Sequence, residues 1–141
     1  MKRKDIYNAA FGDIFLEDLR DYRERQLAKV GIKAHFPLWK RDTKELILEF
    51  IELGFKTKIV AANAALFNKD FVGQDITKEL VYNLPEEVDP CGENGEFHTF
   101  CYDGPIFKSP VRFEEGEKVK KSYPNPTIGG KEIDFWFCDL I

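Results

Sequence analysis

The run of residues 89–100 brings together side chains that can do chemistry. It contains three carboxylates, an amide, an imidazole, a thiol and a hydroxyl, arranged around two glycines. Polar groups at this density are costly to bury beside aromatic residues unless each one finds a partner. A turn-rich loop that enters a hairpin and a ligand-binding loop both fit this composition.

Glu93 and Glu96 are the candidate catalytic carboxylates of this run. Two carboxylates three residues apart can orient an amine, hold a cation or work as an acid–base pair. His98 is the third catalytic candidate, because an imidazole can shuttle protons near neutral pH. A structural histidine in a strand is the alternative. If Glu96 is catalytic, Glu96→Gln should remove turnover and leave the fold intact.

Three further residues of the run are candidates for binding a substrate. Asn94 offers both a donor and an acceptor, so it can recognise an amide or a carboxylate. Gly95 lets the backbone approach a ligand closely. Thr99 offers a hydroxyl, or is simply a strand residue.

The three cysteines, Cys91, Cys101 and Cys138, are widely spaced and form no Cys-x-x-Cys pair. This spacing predicts free thiols and no metal site. Cys101 and Cys138 lie in aromatic runs and are expected in the core. Cys91 with His98 would be the nucleophile of a thiol enzyme, a rival interpretation that lacks a third, orienting group.

The helices and strands predicted around these residues indicate an α/β protein. The first part of the chain alternates between strands and helices with short connections, which favours parallel strands. Short aromatic runs punctuated by glycine and proline follow, and they predict a β-rich tail. We therefore expect an α/β portion over 1–85 and a β-rich subdomain over 86–141. Strands are expected over 6–11 (buried), 33–38, 57–61, 97–102, 111–113, 117–120 and 133–140, and helices over 16–30, 43–53 and 75–84.

Notable residues follow the first three predicted strands. Ligands of open parallel sheets bind at the carboxyl ends of the strands. Gly12 and Asp13 follow the first strand, Trp39 the second and Asn63 the third, so we expect them at one edge of the sheet. Gly12, Asp13 and Trp39 are the nucleotide-binding candidates. Asp13 is equally suited to cap a helix, and Trp39 to pack at the edge of the core.

Arg23 interrupts the apolar stripe of the first predicted helix, between Leu19 and Leu27. A partly buried arginine needs an anionic partner. A substrate anion would make Arg23 a binding residue, and a protein carboxylate would make it half of an ordinary ion pair.

Charge and hydropathy argue against several classes of protein. The formal net charge is −4, and no stripe of basic residues with interleaved aromatics suggests a nucleic-acid partner. No apolar stretch has transmembrane length, so no membrane association is expected. No signal-peptide core is present, which predicts a cytoplasmic protein.

Four segments in order resemble one family. They are 11–20 (Phe-Gly-Asp-Ile-Phe-Leu-Glu-Asp-Leu-Arg), 36–39 (Phe-Pro-Leu-Trp), 93–99 (Glu-Asn-Gly-Glu-Phe-His-Thr) and 102–107 (Tyr-Asp-Gly-Pro-Ile-Phe). The chain resembles the C-terminal portion of the PP-loop ATP pyrophosphatases related to diphthine–ammonia ligase, in a bacterial-type branch. The resemblance implies a parallel-sheet fragment of an adenine nucleotide alpha hydrolase-like (HUP-type) fold.

The resemblance also implies a reaction, ATP-dependent amide formation. A carboxylate on a small molecule or a protein side chain would be adenylated, and ammonia would then displace AMP. ATP and Mg²⁺ are the implied cofactors. The residues expected to contact the acceptor are Glu93, Asn94, Glu96 and His98.

The chain departs from the family pattern in two places. It contains no Ser-Gly-Gly-x-Asp-Ser run, the loop that grips the ATP phosphates, so we expect it to be inactive alone and to need a separate N-terminal half or a second copy. Diphthine ligases more often carry Glu-Gly-Gly-Glu followed by an aromatic residue and Glu, where this chain has Asn94 and His98, which leaves the acceptor open. A non-catalytic small-molecule or nucleotide-binding module is the alternative function.

Overall fold

The computed structural model describes residues 5–125 and 129–141. In this range it contains three α-helices and six β-strands. They are β1 (Asn8–Ala10), α1 (Glu17–Ala28), β2 (Lys33–His35), α2 (Thr43–Glu52), β3 (Lys56–Asn63), α3 (Lys78–Tyr82), β4 (Phe97–Asp103), β5 (Glu115–Pro124) and β6 (Glu132–Leu140). No helix of this described range is long and apolar enough to cross a membrane.

The chain forms two compact units, Met1–Thr43 and Lys44–Ile141. The first contains a two-stranded parallel sheet, β1–β2, and the second a four-stranded antiparallel sheet in the order β4-β3-β6-β5. The expected boundary after residue 85 stays a prediction. In the structure β3, which precedes that residue, pairs with β4 and β6, which both follow it. The mixed α/β class is confirmed.

The prediction that the third strand runs parallel to the first two in one sheet is wrong. β3 lies at the centre of the second sheet and pairs antiparallel with both β4 and β6. The connection from β2 to β3 contains helix α2, as a parallel crossover would, but β3 hydrogen-bonds to the later strands β4 and β6 and not to β2. Asn63, at the end of β3, is therefore not at the edge of the sheet that carries Gly12 and Trp39.

The first unit is built on the predicted strand–helix–strand order. Ala9 of β1 pairs with Ala34 of β2. Helix α1 contains no buried residue, although Arg23 and the leucines of its predicted stripe are half-buried. Gly31 has a φ of 71° after this helix, as expected of a glycine that ends a helix. The prediction of a buried first strand is wrong, because β1 alternates between exposed and half-buried residues.

The second unit has an apolar core centred on β3. Ile59 and Ala62 of this strand are fully buried, and Phe97 and Cys138 pack in the same cluster. The core position of Cys138 is confirmed, whereas Cys101 is half-buried and lies outside this cluster. Burial also raises the pKa of the Cys138 thiol, which keeps it protonated and unreactive.

Two predicted elements are shorter or absent. Helix α3 begins at Lys78 rather than near Asp75, because Asp75 forms a bridge with Lys58 of β3 and extends the sheet instead. The predicted strand over 111–113 is not formed. Phe113 instead packs its ring edge-on against Tyr102 of β4, with ring centroids 5.2 Å apart.

Lys58 is a buried cation on β3. It is 8% exposed, and its Nζ donates to the Gly73 carbonyl at 2.8 Å. Its ammonium lies 2.7 Å from Glu115 Oε1 and 3.3 Å from Asp75 Oδ1. Burial alone would lower the pKa of Lys58, but the two carboxylates outweigh it and the pKa is raised. The cluster joins β3, β5 and the segment before α3.

Thr57 on β3 carries a buried hydroxyl that has no hydrogen-bond partner among the described residues. An unsatisfied buried polar group costs stability, and valine has nearly the same shape. We expect Thr57→Val to raise the free energy of unfolding by about 1 kcal/mol, measured by chemical denaturation. Thr99→Val, on an exposed strand position, controls for β-propensity. A loss of stability in Thr57→Val would contradict the assignment of an unsatisfied hydroxyl.

Candidate functional site

Residues 89–96, the first part of the polar run of residues 89–100, form a tight loop before β4. We call this loop the signature loop. Asp89 organises its first half. One oxygen of the Asp89 carboxylate accepts hydrogen bonds from the backbone N–H of Cys91 at 3.0 Å and of Glu93 at 3.1 Å. The Asp89 carbonyl accepts from the N–H of Gly92 at 2.9 Å. The loop is therefore wound around an aspartate side chain.

Glu96 organises the second half of the signature loop from inside the protein. Glu96 is 5% exposed. Oε1 accepts from the N–H of Asp89 at 2.9 Å, and Oε2 accepts from the N–H of Asn94 at 3.0 Å. The side-chain amide of Asn94 also donates to Oε1, at 3.3 Å. Both carboxylate oxygens of Glu96, a predicted catalytic residue, thus accept hydrogen bonds from the loop. This arrangement positions the loop.

The two glycines of the loop meet different requirements. Gly92 has a φ of 69°, and a Cβ there would lie 2.7 Å from the Phe97 carbonyl oxygen. Gly95 has a φ of 79°, but a Cβ there would meet no described atom within 4 Å. Gly92 is therefore fixed by close packing, whereas the space beside Gly95 is open to a ligand.

The remaining predicted site residues of the run are on the surface. Asn94, His98 and Thr99 are exposed, and Glu93 is half-buried. His98 lies opposite Ala61 in the sheet, and its ring has no hydrogen-bond partner in the described part of the chain. Because successive strand residues face opposite sides of a sheet, His98 and Thr99 do not contact a ligand from the same face.

Arg23 and Asp13, predicted for different roles, form one ion pair in the first unit. Arg23 Nε donates to Asp13 Oδ2 at 2.6 Å, and Nη2 lies 3.4 Å from Oδ1. The guanidinium also lies over the ring of Phe11, 4.5 Å from its centroid. Of the two alternatives for Arg23, this geometry favours the ordinary ion pair, and it leaves Asp13 already neutralised.

Trp39 has a cation on its ring in this structure. The Arg20 guanidinium lies 4.7 Å from the centroid of Trp39 and 4.9 Å from that of Phe36. A planar ligand that stacks on this face of Trp39 would have to displace Arg20. Gly12 has open space where a Cβ would be, so no contact in the structure requires glycine there.

The predicted nucleotide-binding residues do not fit the cofactors that the resemblance implies. No group of three or more His, Cys, Asp or Glu side chains in residues 5–125 and 129–141 is arranged to hold a metal ion. The Asp13 carboxylate, the candidate partner of a metal-bound phosphate, is paired with Arg23. The predicted nucleotide-binding residues Gly12, Asp13 and Trp39 therefore offer no prepared site for the ATP phosphates.

Residues 42–125 match the family model described as diphthamide synthase C-terminal domain. This match covers more than half of the chain. The chain belongs to this family. The signature loop lies inside the matched region, whereas Asp13, Arg23 and Trp39 lie outside it.

The curated relatives are diphthine–ammonia ligases. The chain is 26% identical over 122 residues to the Schizosaccharomyces pombe protein, covering 84% of this chain and 20% of the relative. It is 26% identical over 126 residues to the Mus musculus protein, covering 86% and 47%. It is 30% identical over 110 residues to the Danio rerio protein, covering 72% and 43%. The resemblance to this family is confirmed, and the chain spans less than half the length of each of these relatives.

Sequence reasoning did not single out the role of Asp89 or the cluster around Lys58. A signal for the first was present, because an aspartate side chain commonly accepts from the N–H two residues later. No sequence signal marks Lys58, since its partners Asp75 and Glu115 come from distant parts of the chain.

Proposed function

We propose that this chain is the C-terminal, acceptor-binding part of an ATP-dependent ligase that joins ammonia to a carboxylate. Family membership and the printed activity of the relatives support the reaction class. One observation carries the proposal for the loop: the buried Glu96 and the half-buried Asp89 accept hydrogen bonds from its backbone, while Asn94 is exposed and the space beside Gly95 is open. A binding surface that is ordered in advance loses less entropy when its ligand arrives.

In this proposal the exposed residues contact the reactants and the enclosed ones position them. The Nδ2 of Asn94 donates to Glu96, so its Oδ1 is the atom available to accept a hydrogen bond from ammonia or the acceptor. His98 offers a donor and an acceptor at the start of β4. Glu93, which precedes Asn94 in the loop, supplies a carboxylate that attracts an ammonium ion. Glu96 acts through the backbone of the loop rather than on the substrate.

ATP and Mg²⁺ are bound by another part of the ligase in this proposal. The predicted nucleotide-binding residues Asp13 and Trp39 are occupied by Arg23 and Arg20, so the separate half with the phosphate loop supplies the adenylating chemistry. The HUP-type fold would then be completed by that other part. The acceptor is a carboxylate whose surroundings match Asn94 and His98, and diphthine is the first to test because the relatives are named for it.

A chimaera tests this function. The matching segment of the Mus musculus diphthine–ammonia ligase is replaced by this chain, and amide formation from a diphthine substrate is measured with and without ATP and ammonia. The proposal predicts amide formation that requires both. A folded chimaera that binds ATP and forms no amide contradicts the ligase proposal for diphthine, and favours the non-catalytic binding module.

A further inference from the structure

A groove of about 880 Å³ lies in the second unit. No residue of the signature loop lines it, although Asn63 in its wall donates its N–H to the Glu96 carbonyl at 2.9 Å. Its walls come from the segment that follows β3, from the beginning of β6 and from β5. The lining includes three lysines, two amides and two aromatic residues: Lys69, Lys120, Lys131, Asn63, Asn68, Phe67 and Trp136.

The groove is rich in cations. Lys69 and Lys131 form no ion pair with a carboxylate within residues 5–125 and 129–141. The third lysine, Lys120, has its Nζ 3.6 Å from Asp134 Oδ2. Asp134 also accepts from Ser122 Oγ at 2.6 Å. In a chain with a net charge of −4, ammonium groups gathered here favour the approach of an anion.

The carboxylates of the groove do not cancel this preference. Asp134 is occupied by Ser122 and Lys120, and these contacts lower the pKa of its carboxyl, with the Ser122 hydrogen bond as the largest cause. Glu132 is the second carboxylate of the lining, and it is exposed. Three lysines against these two leave the groove with one excess positive charge.

The amides that line the groove also present donors. Asn63 Oδ1 accepts from the N–H of Ala65 at 2.9 Å, and Asn68 Oδ1 accepts from the N–H of Asp70 at 3.0 Å. A backbone N–H can only donate, so it fixes the oxygen of each amide toward itself. The NH₂ groups of both side chains are then left to donate to a ligand. Lysine ammonium groups and amide NH₂ groups together suit a ligand rich in acceptor oxygens.

Two aromatic side chains give the groove flat apolar surfaces. Trp136 is half-buried, and the Lys120 ammonium lies over its ring, 5.7 Å from the centroid. A ligand ring that stacks on this face would displace Lys120. Phe67 is held in place by Phe71, with stacked ring centroids 3.7 Å apart, and by the edge of Phe97. Rigid aromatic surfaces of this kind favour stacking by a planar ring.

We propose that this groove binds a small ligand that joins an oxyanion, a phosphate or a carboxylate, to a planar ring. The lysines and the two asparagine amides hold the oxyanion, and Trp136 with Phe67 contacts the ring. Neither Asn94 nor His98, which form the proposed acceptor-binding surface, lines this groove.

Calorimetric titration of the full chain tests the groove with defined probes. AMP carries a ring and a phosphate, nicotinate a ring and a carboxylate, adenosine only the ring, and ribose 5-phosphate only the phosphate. We expect AMP or nicotinate to bind more tightly than both single-feature probes, and the tighter of the two identifies the oxyanion. Failure of both to exceed adenosine and ribose 5-phosphate overturns the proposal.

Charge-matched variants locate the site. Lys69→Gln with Lys131→Gln should weaken binding of the preferred probe about tenfold, because two contacts to an anion are lost. Lys33→Gln with Lys108→Gln removes the same charge from exposed positions outside the groove and should leave binding unchanged. Equal affinity in the two double variants overturns the proposal. His98→Ala and Trp39→Leu should also leave binding of the preferred probe unchanged. Probe binding to the groove is thus tested separately from the ligase function.

Discussion

Glu96→Gln is expected to lower the free energy of unfolding by about 2 kcal/mol. The change replaces one carboxylate oxygen, which accepts a hydrogen bond, with an NH₂ group, which can only donate. The Glu96 carboxylate accepts from the N–H groups of Asp89 and Asn94 on its two oxygens. A glutamine has one oxygen, so its NH₂ group must face one of these N–H groups. The residue is buried, and water cannot replace the lost bond.

The effect should be local as well as global. Hydrogen exchange of the Asp89 and Asn94 amides should accelerate at least about tenfold in Glu96→Gln, since a lost 1.4 kcal/mol is already a factor of ten in opening. Glu87→Gln is the matched control, because Glu87 is an exposed glutamate before the same loop and should change stability little. If the two variants unfold at the same denaturant concentration, Glu96 does not organise the loop.

Lys58→Met is expected to lower the free energy of unfolding by about 2 kcal/mol. The change leaves Glu115 and Asp75 facing each other without the cation between them, and it leaves the Gly73 carbonyl without its donor. Breaking a fully buried pair costs about 3–5 kcal/mol. We expect less here because the two carboxylate side chains are 47% and 45% exposed and water screens them.

An exposed pair on the same unit is the control for Lys58→Met. Lys78 Nζ lies 2.6 Å from Glu52 Oε1, with side chains 50% and 64% exposed. Lys78→Met removes an equally short contact, but surface pairs contribute only about 0–1 kcal/mol. If Lys58→Met and Lys78→Met lower the free energy of unfolding equally, as measured by denaturation, then burial of Lys58 does not strengthen its ion pairs.

The same cluster predicts a loss of stability in alkali. Burial opposes the charge on Lys58, yet Glu115 and Asp75 raise its pKa overall, and burial followed by Asp75 raises the pKa of Tyr102. For both groups the protonated form is favoured in the folded state, so their contribution is complete at neutral pH. It is lost as the pH rises above about 10. Wild type should lose stability there more steeply than Lys58→Met.

Local patterns predicted α1 and α2 well and the pairing of the strands poorly. The apolar periodicity that predicts α1 and α2 depends only on residues within each helix. The orientation of β3 depends on which strands pair with it, and both β4 and β6 are distant in sequence. The predicted extent of α3 failed for the same reason, since Asp75 pairs with Lys58 rather than continuing a helix.

The sequence located the signature loop but not the roles within it. Asp89, Glu93 and Glu96 are equivalent as carboxylates in a polar run, and only the folded backbone shows that Glu96 turns inward. Asp13 and Arg23 are ten residues apart and each suited a separate ligand contact. The folded first unit places them 2.6 Å apart, which assigns each as the partner of the other.

The most direct test of the account is the effect of His98→Ala on the Michaelis constants of the chimaera described above. His98 is exposed and its ring has no described partner, so the change should not disturb the fold. Loss of one contact to the carboxylate acceptor should raise the KM for that acceptor about tenfold. The KM for ATP should not change. A raised KM for ATP with an unchanged KM for the acceptor would contradict the assignment of this surface to the acceptor.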